Sequence, residues 1–177
     1  MIFLETERLI LRAVESRDAD VMFDYRNNPL CARYQRGQKR ARQQIEELVQ
    51  RRQEDRLSTD ANCMIALALR ETNEMVGEMV VMPTEGTFSL GYTVSYRYHR
   101  HGYAFEGLSA LIGHLHQLYP HWEFISFVHP ENQASMGLLN KLGYRDLGYI
   151  PAMESRVFGK WAHPETVEEV AQAAKRV

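Results

Sequence analysis

Apolar and polar residues alternate along this chain with two different periods, so both strands and helices are expected. Residues 8–14 alternate with the period of a strand, and Leu9 and Leu11 fall on the same side. Short apolar runs bounded by polar or turn residues mark further strands. Strands are expected at 8–14, 63–69, 75–82, 88–95, 122–128, 144–150 and 156–161. The run at 122–128 is continuously apolar, which is typical of a strand in the middle of a sheet.

Other segments carry apolar residues three and four positions apart, as one face of a helix does. Helices are expected at 16–27, 38–56, 103–118, 134–142 and 164–175. Ser16 is the expected N-cap of the first helix, and Pro29 should stop it, because the residue before a proline avoids the helical region. Pro83 is expected to end the second strand of a hairpin. Gly143 is expected to close the fourth helix as the residue just past its end.

The order of these elements indicates strands and helices mixed around one sheet. Strand 88–95, helix 103–118 and strand 122–128 form a strand–helix–strand crossover at its centre. The chain has 177 residues, and a single domain over 1–177 is therefore expected. A domain of this size buries enough surface for a full core without disulfides or metals.

Composition argues against several classes of protein. The formal net charge of −2 gives no sign of binding to nucleic acid or another polyanion. Cys31 and Cys63 stand in no metal-binding or redox spacing, which favours a reduced intracellular protein. The first residues carry acids where a signal peptide carries bases, and no apolar run approaches the ~18 residues of a membrane span. We therefore expect a cytoplasmic protein with neither a nucleic-acid nor a membrane partner.

The turn between strand 88–95 and helix 103–118 is the first segment with candidate chemistry. The N–H groups in the first turn of a helix have no partner within the helix, and the helix dipole is positive there. A diphosphate binds well at such a terminus, and Gly102 would let the backbone approach it closely. The alternative is that Gly102 only makes the turn and that the nearby Arg97, Arg100 and His101 are solvated.

A second candidate segment runs over 130–135 and is followed by a Leu-Gly-Tyr triplet at 142–144. Asn132 is placed to cap the helix that follows, and capping alone would explain its presence. Ser135 lies about one turn into that helix, where its hydroxyl can point into a cleft. The alternative for Ser135 is an ordinary serine on the helix surface.

Two pairs of histidines, at 99 and 101 and at 114 and 116, suggest a metal site only at first sight. Residues two apart on a helix do not share a face. No cysteine or carboxylate completes either pair, so no metal site is expected.

Together and in this order, the motifs resemble those of the ribosomal-protein N-terminal (alanine/serine) acetyltransferase branch of the GNAT superfamily. That branch opens with Thr-Glu-Arg-Leu-x-Leu-Arg, and residues 6–12 read Thr-Glu-Arg-Leu-Ile-Leu-Arg. Its acetyl-CoA loop reads Gly-Tyr-x-Val/Leu and then Gly-x-Gly-Tyr-Ala-x-Glu-Ala. Here 91–94 read Gly-Tyr-Thr-Val, and 100–107 read Arg-His-Gly-Tyr-Ala-Phe-Glu-Gly. The branch continues with Pro-x-Asn-x-x-Ser and Leu-Gly-Phe, which correspond to 130–135 and 142–144.

The resemblance implies a GNAT fold: an α/β (α+β) architecture whose single mixed, mostly antiparallel twisted sheet has a central V-shaped splay and is flanked by helices. It also implies an N-acetyltransferase that uses acetyl-CoA as cosubstrate and holds the pantetheine arm between the splayed strands. Val94 and Ser95 would offer backbone groups to the arm, and Asn132 would contact it from the other side. Ser135 would be the catalytic residue, near the thioester sulfur. The pyrophosphate would be held by the backbone N–H groups of Arg100, His101, Gly102, Tyr103 and Ala104.

The chain departs from the family pattern at several positions. Arg100 replaces the first glycine of the acetyl-CoA loop. Leu139 replaces a tyrosine that serves many members as the acid for the leaving thiolate, and in this branch the serine at the position of Ser135 is the usual substitute. Ser89 and Leu90 stand where some relatives carry a glutamate base. The general base is therefore unassigned.

A site without a strong base suits an α-amine better than a lysine side chain. A lysine amine of pKa ~10.4 is only ~0.1% neutral near pH 7.4, whereas an α-amine of pKa ~7.8 is roughly a quarter neutral. The preference is mild, because bound water can relay protons to Glu78, Glu85 or His99. A small-molecule amine (an antibiotic, polyamine or amino acid) is the alternative acceptor, and a non-catalytic acyl-CoA-binding module is the alternative class. Homodimers are common in this family, but nothing in the sequence identifies one.

Overall fold

The computed structural model describes residues 1–35 and 40–176. Within them, eight strands form one sheet in the order β1-β2-β3-β4-β5-β6-β8-β7. The strands are β1 (Ile2–Glu5), β2 (Leu9–Ala13), β3 (Cys63–Leu69), β4 (Met75–Thr84), β5 (Thr87–Val94), β6 (Glu123–Val128), β7 (Arg145–Ile150) and β8 (Ser155–Lys160). The helices are α1 (Ala19–Asn27), α2 (Pro29–Ala32), α3 (Arg42–Arg52), α4 (Tyr103–Leu118), α5 (Gln133–Lys141) and α6 (Pro164–Lys175). Short 3-10 turns cover Ser16–Asp18, Tyr96–Tyr98 and Pro151–Met153.

The centre of the sheet is opened by the one parallel pair among these strands. All other neighbouring strands run antiparallel, whereas β5 and β6 are parallel and pair only at Thr87–Glu123 and Phe88–Phe124. Helix α4 connects them, as the predicted crossover requires. Beyond Phe88 the two strands separate toward their carboxyl ends, which confirms the expected mixed, mostly antiparallel sheet with a central splay.

Apolar side chains cover both faces of the sheet. On β3, Ile65 and Leu67 belong to the core cluster that contains the α4 residues, while Met64 and Ala66 belong to the cluster that contains residues of α1 and α3. All four are at most 5% exposed. A strand that is covered on both faces has a continuous apolar sequence, which explains the pattern at 63–69.

Helix α4 has the predicted bounds because its sequence signals agree. Leu108, Leu111 and Leu115 are at most 1% exposed and form the apolar stripe toward the sheet. The helix ends at Leu118, two residues before Pro120, and the residue before a proline leaves the helical region. The N-terminus of α4 is thereby fixed at the open end of β5.

Two predictions about strands are wrong. Strand β1 was not expected, yet it pairs antiparallel with β2 through Leu4–Leu11 and Glu5–Ile10. Pro83 does not end β4, which continues through Thr84. Since β3 pairs with β4 only as far as Val81, Pro83 lies where the neighbouring strand has ended and its missing N–H costs no ladder bond on that side.

The N-terminal helices also differ from the prediction. Ser16 lies inside a 3-10 turn rather than capping α1, and Asp18 is the residue that precedes α1. Asp18 accepts two hydrogen bonds from the buried Arg12 guanidinium at 2.8 and 2.9 Å and one from the Glu15 N–H at 2.7 Å. These contacts hold its side chain in the turn before the helix. Helix α2 was not predicted; Asn28 caps it by accepting from the Leu30 N–H.

Helix α3 spans Arg42–Arg52, shorter than the predicted 38–56, of which residues 38 and 39 lie outside the described residues. After Arg52 the chain turns so that the Asp55 carboxylate accepts from the Met64 N–H at 2.8 Å. This contact ties the segment to β3 and ends the helix before the apolar pattern does. Among residues 1–35 and 40–176, no helix is long and apolar enough to cross a membrane.

Candidate functional site

A cleft of about 1040 Å³ lies where β5 and β6 separate, bounded by the first turns of α4 and α5 and by α2. Of the predicted site residues, the cleft brings together Val94, Arg100, Gly102, Tyr103, Ala104, Asn132 and Ser135. Two others lie at its margin: Ser95 is buried at 1% exposure, and His101 is exposed in the turn before α4. Residues from the two motifs therefore share one cavity.

The open edge of β5 presents backbone carbonyls to this cleft. The Tyr92 carbonyl accepts from the Gln35 side-chain amide at 3.2 Å, and the Val94 carbonyl accepts from His99 Nε2 at 2.9 Å. The Ser95 N–H points the other way and donates to the Val76 carbonyl of β4 at 2.8 Å. Val94 is thus on the free edge of the strand, whereas the Ser95 amide is already used within the sheet. Binding of a ligand by either residue stays a prediction.

The turn before α4 holds two residues in the left-handed region of backbone space. Gly102, at the N-cap of α4, has φ +78°, and Arg100 has φ +64°. A side chain in this region costs roughly 1–2 kcal/mol, which explains the glycine at 102. Arg100 adopts the conformation that a glycine adopts most easily, so the departure from the family pattern at this position does not abolish the turn. Gly102, Tyr103 and Ala104 line the cleft, and the N–H groups in the first turn of a helix have no partner within the helix.

The N-terminal segment fixes this turn through Glu106 in the first turn of α4. Thr6 Oγ1 donates to Glu106 Oε1 at 2.6 Å, and Arg8 Nε donates to Glu106 Oε2 at 2.7 Å. Arg8 also donates to the His101 carbonyl at 2.9 Å and lies 4.8 Å from the centre of the Tyr103 ring. Partial burial acts to raise the pKa of Glu106, but these hydrogen bonds and the Arg8 charge outweigh it and leave that pKa below 4.5. Thr6 and Arg8 of the Thr-Glu-Arg-Leu motif thus hold the turn before α4 in place through hydrogen bonds to Glu106 and His101.

On the opposite wall, Asn132 and Ser135 form the start of α5. Asn132 Oδ1 accepts from the Ser135 N–H at 3.1 Å, so the capping role of Asn132 is confirmed. The Ser135 hydroxyl points into the cleft and lies 2.5 Å from the Tyr92 hydroxyl on β5. Burial raises the pKa of Tyr92, and the bond to Ser135 opposes that rise in part. Tyr92 therefore stays protonated near neutral pH.

Sequence reasoning missed Tyr92 and the pair Tyr34 and His129. Tyr92 has the same parity as Val94 on β5, so strand alternation around the Gly-Tyr-Thr-Val motif could have found it. The Tyr34 ring stacks on His129 with centroids 5.1 Å apart, and its hydroxyl donates to the Glu131 carbonyl at 3.2 Å. This bridge joins the segment after α2 to the loop before α5. No sequence signal points to it.

The candidates for acid and base are narrowed by the structure. Leu139 is buried at 2% exposure and offers no proton. Glu78, a suggested distant proton acceptor, is buried at 3% exposure, where its carboxylate accepts from Tyr25 at 2.5 Å and from Arg26. Glu85 stands in the turn between β4 and β5, at the end of β5 remote from the cleft.

Among the described residues, no aspartate or glutamate lines the cleft. His99 and His129 line it, and His129 Nδ1 accepts from the Glu131 N–H at 3.2 Å. Arg100 and Lys141 supply positive charge, which suits an anionic ligand. Within residues 1–35 and 40–176, no cluster of histidine, cysteine or carboxylate side chains could hold a metal ion.

Comparison with known sequences gives a family match and one curated relative. The family described as "Acetyltransferase (GNAT) domain" matches residues 8–145. A protein of Bacillus licheniformis described as "Uncharacterized N-acetyltransferase p20" is 28% identical over 151 residues, which cover 83% of this chain and 84% of that protein.

Comparison with solved structures finds the same fold. An acetyltransferase of the GNAT family from Bacillus anthracis superposes with a TM-score of 0.76 at 21% identity, over 89% of this chain and 96% of that one. RimL, described as a ribosomal alpha-N-protein acetyltransferase in complex with coenzyme A, superposes with a TM-score of 0.75 at 16% identity, over 90% and 97% of the two chains.

Proposed function

The chain belongs to the GNAT acetyltransferases, acyltransferases that use acetyl-CoA as cosubstrate, and we propose that it transfers the acetyl group to a primary amine. The observation that carries this proposal is the convergence of three features on one cleft. These are the free edge of β5, the glycine-capped N-terminus of α4 and the first turn of α5.

The cleft suits acetyl-CoA in shape and charge. Gly102 has no Cβ where a diphosphate would approach the first turn of α4, and Arg100 and Lys141 line the same cavity. No carboxylate among the described residues lines it to repel an anion. Val94 and Asn132 are on opposite walls of the cleft, from which they would contact the pantetheine arm. We assign His101, Tyr103 and Ala104 to the same ligand through their backbone groups. Ser95 is left out of this assignment, because its N–H donates to the Val76 carbonyl and its carbonyl accepts from the Tyr98 N–H.

The transfer itself needs little from the protein beyond positioning. The neutral amine attacks the thioester carbonyl, a C–N bond forms, and the C–S bond breaks with its electron pair on sulfur. Holding both reactants in line can supply most of the rate enhancement. Ser135 is the group we assign to the departing sulfur, and the proton lost by the nitrogen leaves to water.

An α-amine of a peptide or protein is the acceptor that we propose. No carboxylate among the described residues lines the cleft, so no strong base is present to deprotonate a lysine side chain. An α-amine of pKa ~7.8 is already roughly a quarter neutral near pH 7.4. RimL, which shares the fold, is described as an alpha-N-protein acetyltransferase, and the resemblance of the N-terminal and loop motifs to that branch supports the same class here.

Thiol release from acetyl-CoA, followed over a panel of amines, tests the proposal. We expect turnover with N-terminal peptides and at least tenfold lower kcat/KM with lysine peptides blocked at the α-amine. Preference for polyamines or aminoglycosides would show a small-molecule enzyme instead. A melting scan supplies the binding control, because ligand at a hundredfold excess over its Kd stabilises the fold by about 2.7 kcal/mol. A shift in melting temperature without thiol release on any amine would show a non-catalytic acyl-CoA-binding protein.

A further inference from the structure

Two hydroxyl groups meet inside the cleft from opposite walls. Tyr92 Oη on β5 and Ser135 Oγ on α5 lie 2.5 Å apart, although 43 positions separate the residues in sequence. Both residues line the cavity. At the α5 position where many relatives carry a tyrosine, Leu139 is instead packed into the core at 2% exposure. The phenol that α5 lacks is therefore brought into the cleft by a different element.

We infer that Tyr92 is the positioning residue for the departing sulfur: its hydroxyl donates to Ser135 Oγ, which directs the Ser135 proton toward the sulfur. This inference rests on the proposed function, because it presumes that the thioester lies beside Ser135. It assigns a role to Tyr92, which the Gly-Tyr-x-Val/Leu motif contains without a stated function, and it adds a direction of proton donation.

Either hydroxyl can donate in this contact, and donation from Tyr92 is the direction that leaves the serine proton free for the sulfur. A serine hydroxyl has one proton to donate and can accept from elsewhere. If Tyr92 donates to Ser135 Oγ, the serine proton is released from that contact and can point into the cleft. The Ser135 N–H donates to Asn132 Oδ1, and this bond fixes the position of the Ser135 backbone from which the hydroxyl extends. Burial of Tyr92 favours its neutral form, which is the form that donates.

Proton balance also favours a pair over a lone serine. When the C–S bond breaks, sulfur gains the electron pair and needs one proton, and an isolated serine would be left as an alkoxide, which is far more basic than a thiolate. If Tyr92 passes its proton to Ser135 Oγ as Ser135 gives its own to sulfur, the charge is left on a phenolate. Burial raises the pKa of Tyr92 above the ordinary ~10, but a phenolate is still far less basic than a serine alkoxide. Water in the open cleft then returns a proton to Tyr92.

A binding experiment tests the inference without any acceptor. Hydrogen-bond donors aimed at a thiolate lower its pKa, so coenzyme A should bind more tightly as the pH rises, whereas desulfo-coenzyme A should not. If the pKa of the bound thiol falls by one unit from ~8.5, the affinity ratio of the two ligands grows about fivefold between pH 6.5 and pH 8.5. We expect Tyr92→Phe and Ser135→Ala to abolish this pH-dependent increase in affinity for coenzyme A. The control variant Tyr119→Phe, which removes the hydroxyl of a tyrosine just after α4, should keep it.

Kinetics with the best amine of the panel give the second measurement. Tyr92→Phe and Ser135→Ala should each lower kcat ten- to a hundredfold, and the double variant should lose no more than the worse single one, since both act on one proton. The KM for acetyl-CoA should change less than threefold. A merely structural role for the Tyr92 hydroxyl would instead lower melting temperature and raise KM together.

The two proposals fail in distinguishable ways. If wild-type protein binds coenzyme A and desulfo-coenzyme A with the same pH dependence, the hydroxyl pair does not contact sulfur and the inference is wrong, while the acetyltransferase assignment stands. Wild-type kcat in Tyr92→Phe would have the same meaning. If the protein binds neither ligand, both the inference and the proposed function are wrong.

Discussion

Replacing Gly102 offers a test in which backbone strain and ligand blocking can be measured separately. Gly102 has φ +78°, and the atom nearest to an added Cβ is Arg8 Nη2 at 3.5 Å, an ordinary contact. Gly86, in the turn between β4 and β5, has φ +85° with nothing within 4 Å of an added Cβ. The two glycines therefore share the same conformation and the same lack of a steric clash, but only Gly102 lines the cleft.

The expected strain is similar at both sites. An alanine in the left-handed region costs roughly 1–2 kcal/mol, and 1 kcal/mol lowers the melting temperature of a domain of this size by about 2–4 °C. Gly102→Ala and Gly86→Ala should therefore both melt roughly 2–8 °C below wild type. Agreement between the two within experimental error would show that the strain is local to each turn.

Ligand affinity should separate the two sites. Gly102→Val places a branched side chain where a diphosphate would approach the N–H groups of α4, and we expect acetyl-CoA affinity to fall at least tenfold, or about 1.4 kcal/mol. Gly86→Ala should bind as wild type does. Isothermal titration calorimetry on folded protein gives both values. Unchanged affinity in Gly102→Val would refute the reasoning and leave Gly102 with a role in the turn alone.

Further predictions concern the supports of the cleft. Glu106→Gln should weaken acetyl-CoA binding, because it loosens the contact with Arg8. Since the pKa of Glu106 is lowered in the folded protein, wild type loses the stability of this contact as acid protonates the carboxylate. The difference in unfolding free energy between wild type and the variant, measured in urea, should therefore narrow as the pH falls below 4.5. Asn132→Ser should keep the cap of α5 and melt as wild type does, yet lose acetyl-CoA affinity in calorimetry if the amide contacts the ligand. Arg26→Met should cost about 3–5 kcal/mol of unfolding free energy, because it leaves the buried Glu78 carboxylate without its cationic partner and with only the Tyr25 hydroxyl bond. An unchanged denaturation midpoint would contradict this.

Elements whose boundaries are set by local chemistry could be predicted from the sequence. The bounds of α4 and α6 agree with the prediction because an apolar stripe and a terminal proline or glycine act within the element. The start of α1 could not be predicted from its own apolar pattern, because Asp18 is engaged by the guanidinium of Arg12 on β2. Strand β4 continues past Pro83 because Pro83 and Thr84 pair with Phe88 and Thr87 of β5, and the residues of β4 do not encode that partner.

The sequence by itself predicted, through the resemblance of its motifs to one family, that residues 99–104 and 130–135 serve one ligand. The properties of each helix terminus, with its glycine or asparagine, are local and can be recognised in sequence. The tertiary structure alone decided that Tyr92 meets Ser135 and that Arg8 meets Glu106, 98 positions away. These contacts depend on the order of the strands and on where β5 and β6 separate. Periodicity reports which face of an element is buried, but the element on the other side of the cleft is fixed only when the sheet has formed.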